Sequence, residues 1–131
     1  PGRVMDCVGV RDMAIDGYVY LLWERGLIRR FLGGMDQPPP MSLPDAALSQ
    51  TVALFAHPEE EKGHLYIADR ARQRVVELTK EGELVRQLQA QDPSLFMDLR
   101  GLLVDEAQGR LLVTDGHRLL LAELPPLAMS Q

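Results

Sequence analysis

The sequence predicts an all-β protein built from repeated antiparallel sheets. In the stretch from Gly63 to Gln89, apolar and polar residues alternate in three short runs, and Lys80–Glu83 supplies a glycine-containing turn before the third run. Alternation with a period of two is typical of strands, and polar turns between such runs are typical of an antiparallel meander. A single meander leaves one sheet face in water, so we expect other sheets of the chain to cover it.

Three segments of the chain align with one another at a constant spacing. Tyr18–Trp23, His64–Asp69 and Arg110–Asp115 each follow an apolar run and a turn that contains glycine. Their last residues, at positions 23, 69 and 115, are separated by 46 and 46 residues. A repeat of about 40–50 residues that contains three or four short strands has the spacing expected of the blades of a β-propeller.

The individual strands are predicted from this alternation and from the turn signals between them. Asp16-Gly17, flanked by hydrophobic residues, is the strongest short-range signal for a hairpin. The predicted strands are Arg11–Asp16, Tyr18–Trp23, Leu27–Leu32, Thr51–Ala56, His64–Asp69, Arg74–Thr79, Leu84–Gln89, Leu99–Asp105, Arg110–Asp115 and Arg118–Leu124.

Two proline-containing segments are predicted to connect the repeats. The segment from Gly33 to Gln50 is rich in proline, which cannot donate a hydrogen bond to a sheet ladder. We expect at most a short edge strand near Met41–Leu43 and one helical turn over Asp45–Gln50, with Asp45 as its cap. Gln91–Phe96 is the second connector.

The second repeat resembles a blade of the NHL-repeat family. Leu65–Asp69 reads Leu-Tyr-Ile-Ala-Asp, Arg74–Leu78 is similar to the family's arginine-led strand, and Lys80–Leu88 is similar to its turn and final strand. Leu111–Leu124 is similar over two strands, and Tyr18–Leu32 matches more loosely. The resemblance implies a β-propeller of a kind that usually has six blades and mostly serves as a binding platform.

The chain is therefore expected to form a partial β-propeller of about three antiparallel four-stranded blades in a single domain, residues 1–131. Pro125-Pro126 leaves the third repeat without a fourth strand, whereas the apolar run Val4–Val10 has no sheet of its own, so residues 1–10 are a candidate closing strand. Three blades do not close a ring, so we expect a missing propeller half, a protein partner or a homo-oligomer to complete it. The predicted blades span roughly residues 11–50, 51–97 and 98–126.

Composition excludes several classes of partner. The formal net charge is −5, the isoelectric point is near 5.1, and no segment is a run of lysine and arginine, so we expect no nucleic-acid partner. No apolar run approaches membrane-spanning length. The single cysteine, Cys7, cannot form an internal disulfide, which fits a reducing compartment without requiring one, so the localisation stays unknown.

The sequence shows no convincing catalytic, cofactor or metal site. Asp69 and Asp115 recur with the repeat, so we expect their carboxylates to accept backbone N–H bonds in the turns that follow. Zinc needs three or four converging ligands. His57, His64 and His117 are not spaced as a metal pair, and we expect no metal, no cofactor and no catalytic residue.

The best candidate binding surface combines one aromatic residue with three arginines. Trp23 replaces the repeated aspartate. An exposed aromatic residue at the end of a blade would be a plausible hot spot, but burial between blades is the interpretation that we favour. Arg25, Arg72 and Arg118 fall in equivalent turns and would form a positive rim. We expect a non-catalytic module that binds proteins or ligands as a scaffold. The alternative is a piece of a propeller enzyme of the lactonase or lyase type, whose metal ligands project into the central channel.

Overall fold

The structure is a computed structural model that describes residues 7–59 and 63–125. Strands dominate this part of the chain, and two short 3-10 helices, Ala46–Leu48 and Pro93–Phe96, lie in the two predicted connectors. No helix among the described residues has the length and apolarity needed to cross a membrane. The strands are β1 Val10–Ile15, β2 Val19–Trp23, β3 Leu27–Leu32, β4 Met35–Asp36, β5 Met41–Ser42, β6 Thr51–Ala56, β7 His64–Asp69, β8 Arg74–Thr79, β9 Leu84–Leu88, β10 Gly101–Asp105, β11 Arg110–Thr114 and β12 Leu119–Glu123.

The strands form three antiparallel sheets in which neighbours along the chain are neighbours in space. The first sheet has the order β1-β2-β3-β4, and β5 pairs with the free part of β3. The second sheet is β6-β7-β8-β9, and the third is β10-β11-β12. The prediction of an all-β fold made of about three antiparallel sheets is confirmed. Within residues 7–59 and 63–125, the second sheet has the predicted four strands. The first has five because the connector adds β5, and the third has three, as expected from the prolines that follow it in the sequence.

The second sheet is covered on both faces, and its side chains sort by the period of the strand. Leu65 and Ile67 of β7 belong to a core that is shared with the first sheet. Tyr66 and Ala68, which point to the opposite face, belong to a core that is shared with the third sheet. The strands β1, β6 and β10 lie side by side across the stack, and the Leu54 amide donates to Asp12 Oδ2 at 2.8 Å. Each sheet therefore stacks on the next.

The two aspartates that recur with the repeat accept hydrogen bonds from turn amides, as predicted. Asp69 Oδ1 accepts from the amides of Gln50 at 2.9 Å and Arg72 at 3.4 Å. Asp115 Oδ1 accepts from the amides of His117 at 3.0 Å and Arg118 at 2.8 Å. Both carboxylates bond amides of the turn that follows them, and Asp69 also bonds the preceding connector through Gln50.

The N-terminal prediction needs a correction over its described part. Within the predicted strand Val4–Val10, Cys7 is exposed and leads into a turn with Val8 and Gly9, while Val10 opens β1. Gly9 adopts φ +84°, which strands do not use, and a Cβ there would meet the Trp23 ring at 3.4 Å. The first six residues of the candidate closing strand lie outside the described residues.

A buried ion pair ties the second sheet to the first connector. Arg74 and Asp69 have side chains that are 1% and 0% exposed, with Arg74 Nε 2.9 Å from Asp69 Oδ2. Arg74 Nη2 also donates to the carbonyl oxygen of Pro44 at 2.9 Å and to Ser49 Oγ at 3.1 Å. Arg74 Nη1 donates to Gln87 Oε1 at 2.7 Å, so each guanidinium nitrogen has a partner, and removal of Arg74 or Asp69 would leave a buried charge.

We predict that Arg74→Ala lowers the free energy of unfolding by about 3–5 kcal/mol, because Asp69 is then left buried without its cation. The matched control is Arg110→Ala, which removes an exposed pair with Asp105 at 3.5 Å and should cost about 0–1 kcal/mol. Urea unfolding followed by circular dichroism measures both. Equal losses in the two variants would contradict this assignment.

Candidate functional site

An open cleft of about 870 Å³ lies between the second and third sheets. It lies at the edge of the stack where the first and second strands of each sheet are connected. β7 begins at this edge, and the turn between β10 and β11 lies there as well. The polar side chains lining it come from both sheets: His64, Tyr66, Glu77, Arg86, Gln108, Glu106, Arg110 and Glu123.

Strand register places three of these side chains in one row. Tyr66 of β7 pairs with Glu77 of β8, and Glu77 pairs in turn with Arg86 of β9. Residues that are directly opposite in an antiparallel sheet share a face, and this face looks toward the third sheet. Arg86 Nε donates to Glu77 Oε1 at 2.6 Å, so the carboxylate, only 1% exposed, has a cation beside it.

Two histidines complete the cluster of polar side chains. His64 Nδ1 is 2.5 Å from Glu77 Oε2. From the other side of the cleft, Glu106 accepts from the Tyr66 hydroxyl at 2.5 Å, and its second oxygen is 3.2 Å from His57 Nε2. The network therefore runs across the boundary between the two sheets.

The environment of Tyr66 keeps its hydroxyl a donor. Burial raises the pKa of this phenol far above its ordinary value, and the hydrogen bond to Glu106 and the charge of Glu77 raise the pKa further. Tyr66 consequently stays protonated and holds the Glu106 carboxylate in a fixed orientation.

The spacing of the histidines along the sequence did not reveal this cluster. His64, Glu77 and Glu106 each offer a ligand atom, and these atoms lie within 4.8 Å of one another. They come from β7, β8 and the turn after β10, so only the stacking of the sheets brings them together. A cluster of this kind can hold a cation or pass a proton between its members.

The four residues predicted as a binding surface lie at the opposite edge of the stack. Arg25, Arg72 and Arg118 occupy three separate turns between the second and third strands of their sheets. Arg25 is exposed, Arg72 is 3.9 Å from Asp45, and Arg118 is held by Asp115 at 2.8 Å. Trp23 is half-buried against the N-terminal turn, and its Nε1 donates to the Val8 carbonyl oxygen at 3.0 Å.

A second basic feature on this edge was missed by the sequence analysis. Arg11, Arg70 and Arg100 line a cavity of about 470 Å³ at the ends of β1, β7 and β10. Arg11 lies at a β-bulge, an irregularity that re-aims a side chain and that the sequence does not show. Asp98 partly neutralises the positive charge of this cavity, because its carboxylate oxygens lie 3.5 Å from Arg70 Nε and 3.2 Å from Arg100 Nη2.

Comparison with solved structures gives the architecture a name. The chain is similar to virginiamycin B lyase from Staphylococcus aureus, with a TM-score of 0.54 and 10% identity over 85% of this chain and 40% of that one. The fold is that of a partial β-propeller. A protein of unknown function from Bacteroides caccae gives a TM-score of 0.51 and 12% identity over 90% of this chain and 47% of that one.

These likenesses concern the fold alone, and the chain spans less than half the length of either neighbour. No protein-family model matches the sequence, and no curated protein matches it. The likeness to solved structures shows the propeller architecture, whereas the NHL resemblance remains a prediction from the sequence motifs.

We predict that the Asp115 carboxyl titrates with a midpoint of about 2, below its usual value of 3.8, because the His117 and Arg118 amides and then the Arg118 guanidinium stabilise its charged form. The stability that Asp115 provides is therefore complete above pH 3.8 and is lost as the pH falls through 2. Carbon-detected NMR of the side-chain carboxyl measures this midpoint. Arg118→Ala should raise it and Arg110→Ala should leave it unchanged; a wild-type midpoint near 3.8 would contradict the assignment.

Proposed function

We propose that this chain is a non-catalytic β-propeller module that serves as a binding scaffold and that two copies assemble into a larger propeller. The observation that carries this proposal is that both ends of the three-sheet stack present apolar faces. The second sheet is covered on both faces, whereas outward side chains of the end sheets stay exposed: Met13 and Ile15 in the first sheet, and Leu103 and Leu121 in the third.

The open face of the third sheet carries a row of leucines. Leu103 of β10, Leu112 of β11 and Leu121 of β12 are paired directly across the three strands. They point away from the second sheet, because the alternate residues of the same strands form the shared core. Leu103 and Leu121 are 60% and 61% exposed. An exposed apolar row of this kind on a sheet supports the proposal of an interaction surface on this face.

The outer face of the first sheet is apolar and exposed along its edge strand β1, while Leu21 and Phe31 on the same face of β2 and β3 are buried. Met13 and Ile15 of β1 are 64% and 70% exposed. They face away from the second sheet, because the alternate residue Asp12 bonds the Leu54 amide of β6 and Ala14 packs on the core. The two ends of the stack could thus cover each other in a pair of chains.

A second copy of the chain is the occupant that suits both faces at once. The chain accounts for 40% and 47% of the propellers it resembles, so two copies supply the length of one such molecule. Packing the third sheet of each copy on the first sheet of the other closes a two-fold ring, and closure buries every open face. Such a ring would display the arginine-bearing turns of both copies on one side, which supports the scaffold role.

We predict that light scattering of the purified chain gives one species of twice the chain mass. Leu103→Glu places a charge on the third sheet's open face and should give the monomer, because a buried unpaired charge opposes association. The matched control is Leu48→Glu, since Leu48 is 66% exposed in the first connector, away from the sheet faces. A wild-type monomer, or dimers of both variants, would overturn the proposal.

A piece of a propeller enzyme is the second candidate. The His64, Glu77 and Glu106 cluster favours it, as does the likeness to a protein described as a lyase. The cluster lies on β7, β8 and a turn rather than on β1, β6 and β10, where ligands aimed into a central channel would stand, and this favours the scaffold. Turnover of a lactone by the wild-type chain that is lost in Glu106→Gln would establish the enzyme instead.

A further inference from the structure

We infer that His64, Glu77 and Glu106 form a binding site for one divalent transition-metal ion of the Zn²⁺ class. The site lies within a single chain, between the second and third sheets, and does not depend on the pairing of two copies.

The separations between the ligand atoms suit one ion. A nitrogen and two oxygens that bind zinc at about 2.0–2.2 Å stand about 3.4 Å apart in a tetrahedron. The three candidate atoms lie within 4.8 Å of one another, and His64 Nδ1 is 2.5 Å from Glu77 Oε2. Glu106 must therefore move slightly inward while His64 and Glu77 separate, with the ion taking the place of the proton between them.

Burial and charge distinguish this cluster from an ordinary acidic surface. The Glu77 side chain is 1% exposed, and His64 and Glu106 are 22% and 24% exposed. Two carboxylates face one guanidinium, that of Arg86, and two imidazoles, those of His64 and His57, which add no charge in their neutral form. The cluster thus has a surplus of negative charge inside a partly dry cleft, where attraction to a cation is stronger than on an open surface.

The carboxylates are held by donors that lie behind them. Arg86 fixes Glu77 Oε1 at 2.6 Å, and Tyr66 fixes one oxygen of Glu106 at 2.5 Å. Outer partners of this kind orient metal ligands and typically change metal affinity by about 10–100-fold when removed. The Tyr66 hydroxyl is therefore a positioning group for the site.

The ligand types select the class of metal. An imidazole nitrogen with carboxylate oxygens suits zinc and its neighbours, whereas calcium and magnesium prefer oxygen ligands alone. Three protein ligands leave a fourth position open toward the cleft, as in zinc sites that bind water or an exogenous ligand.

Binding of the ion would also join two sheets. His64 and Glu77 belong to the second sheet and Glu106 to the turn of the third, so one ion cross-links the stack. A ligand that binds only the folded state raises stability by mass action, and we expect the melting temperature to rise when Zn²⁺ is added.

The test uses metal-free chain titrated with Co²⁺, whose visible absorption reports nitrogen and oxygen coordination, followed by competition with Zn²⁺. We expect saturation at one ion per chain. His64→Ala and Glu106→Gln should weaken binding at least tenfold and abolish the Zn²⁺-dependent rise in melting temperature, while Tyr66→Phe weakens it about 10–100-fold. His117→Ala is the matched control, because His117 is exposed in a different turn, and should bind as the wild type does.

Two results would overturn the inference: absence of saturable Co²⁺ binding, or equal binding by His64→Ala and His117→Ala. Circular dichroism of each variant confirms folding, and Glu106→Gln, a substitution in a half-buried turn, keeps the test valid if another variant unfolds. Repeating the titration with Leu103→Glu separates the two proposals, since the site should bind metal whether or not the chains pair.

Discussion

The structure depends on the burial of both faces of its second sheet. Five of the six residues of β7 and five of the six of β8 are buried, which an isolated sheet cannot achieve. The first sheet covers the face of the second sheet that carries Leu65, Ile67 and Val76. The third sheet covers the opposite face, which carries Tyr66, Ala68 and Val75. A strand with two apolar faces therefore dictates a stack of three sheets. The end sheets also carry apolar side chains that are not yet covered, since leucines of the third sheet and Ile15 of the first are exposed on their outer faces.

Buried charges make this stacking specific. Lys80 is 2% exposed and reaches from the second sheet to Asp16 of the first, with a further bond to the His57 carbonyl oxygen at 2.8 Å. Arg74 fastens the first connector to the same sheet, and Tyr66 bonds the turn of the third. Apolar contact alone would allow the sheets to slide over one another, whereas each of these groups is satisfied in only one arrangement. Tyr66 also lines the cleft, so one of the contacts between the sheets also orients a ligand of the candidate metal site.

The sequence allowed most strands to be predicted because alternation and glycine turns act locally. Leu27–Leu32, Thr51–Ala56, His64–Asp69 and Arg74–Thr79 were predicted with the bounds that the structure shows. Local cues failed at two places: the Asp45 side chain lies toward Arg72 instead of capping Ala46–Leu48. Cys7 precedes a turn at Val8 and Gly9, where Gly9 adopts a positive φ and a Cβ would meet the Trp23 ring. The His64, Glu77 and Glu106 cluster was not predicted because its members come from separate elements and meet only when the sheets stack.

Native-state hydrogen exchange tests the stacking most directly, because amides in the sheet covered on both faces should open only with global unfolding. We expect the slowest amides of the Leu103→Glu chain to lie in β7 and β8, with faster exchange in β1 and β12. Slowest exchange in β1 or β12, or uniform protection across the three sheets, would contradict the claim that the second sheet organises the molecule.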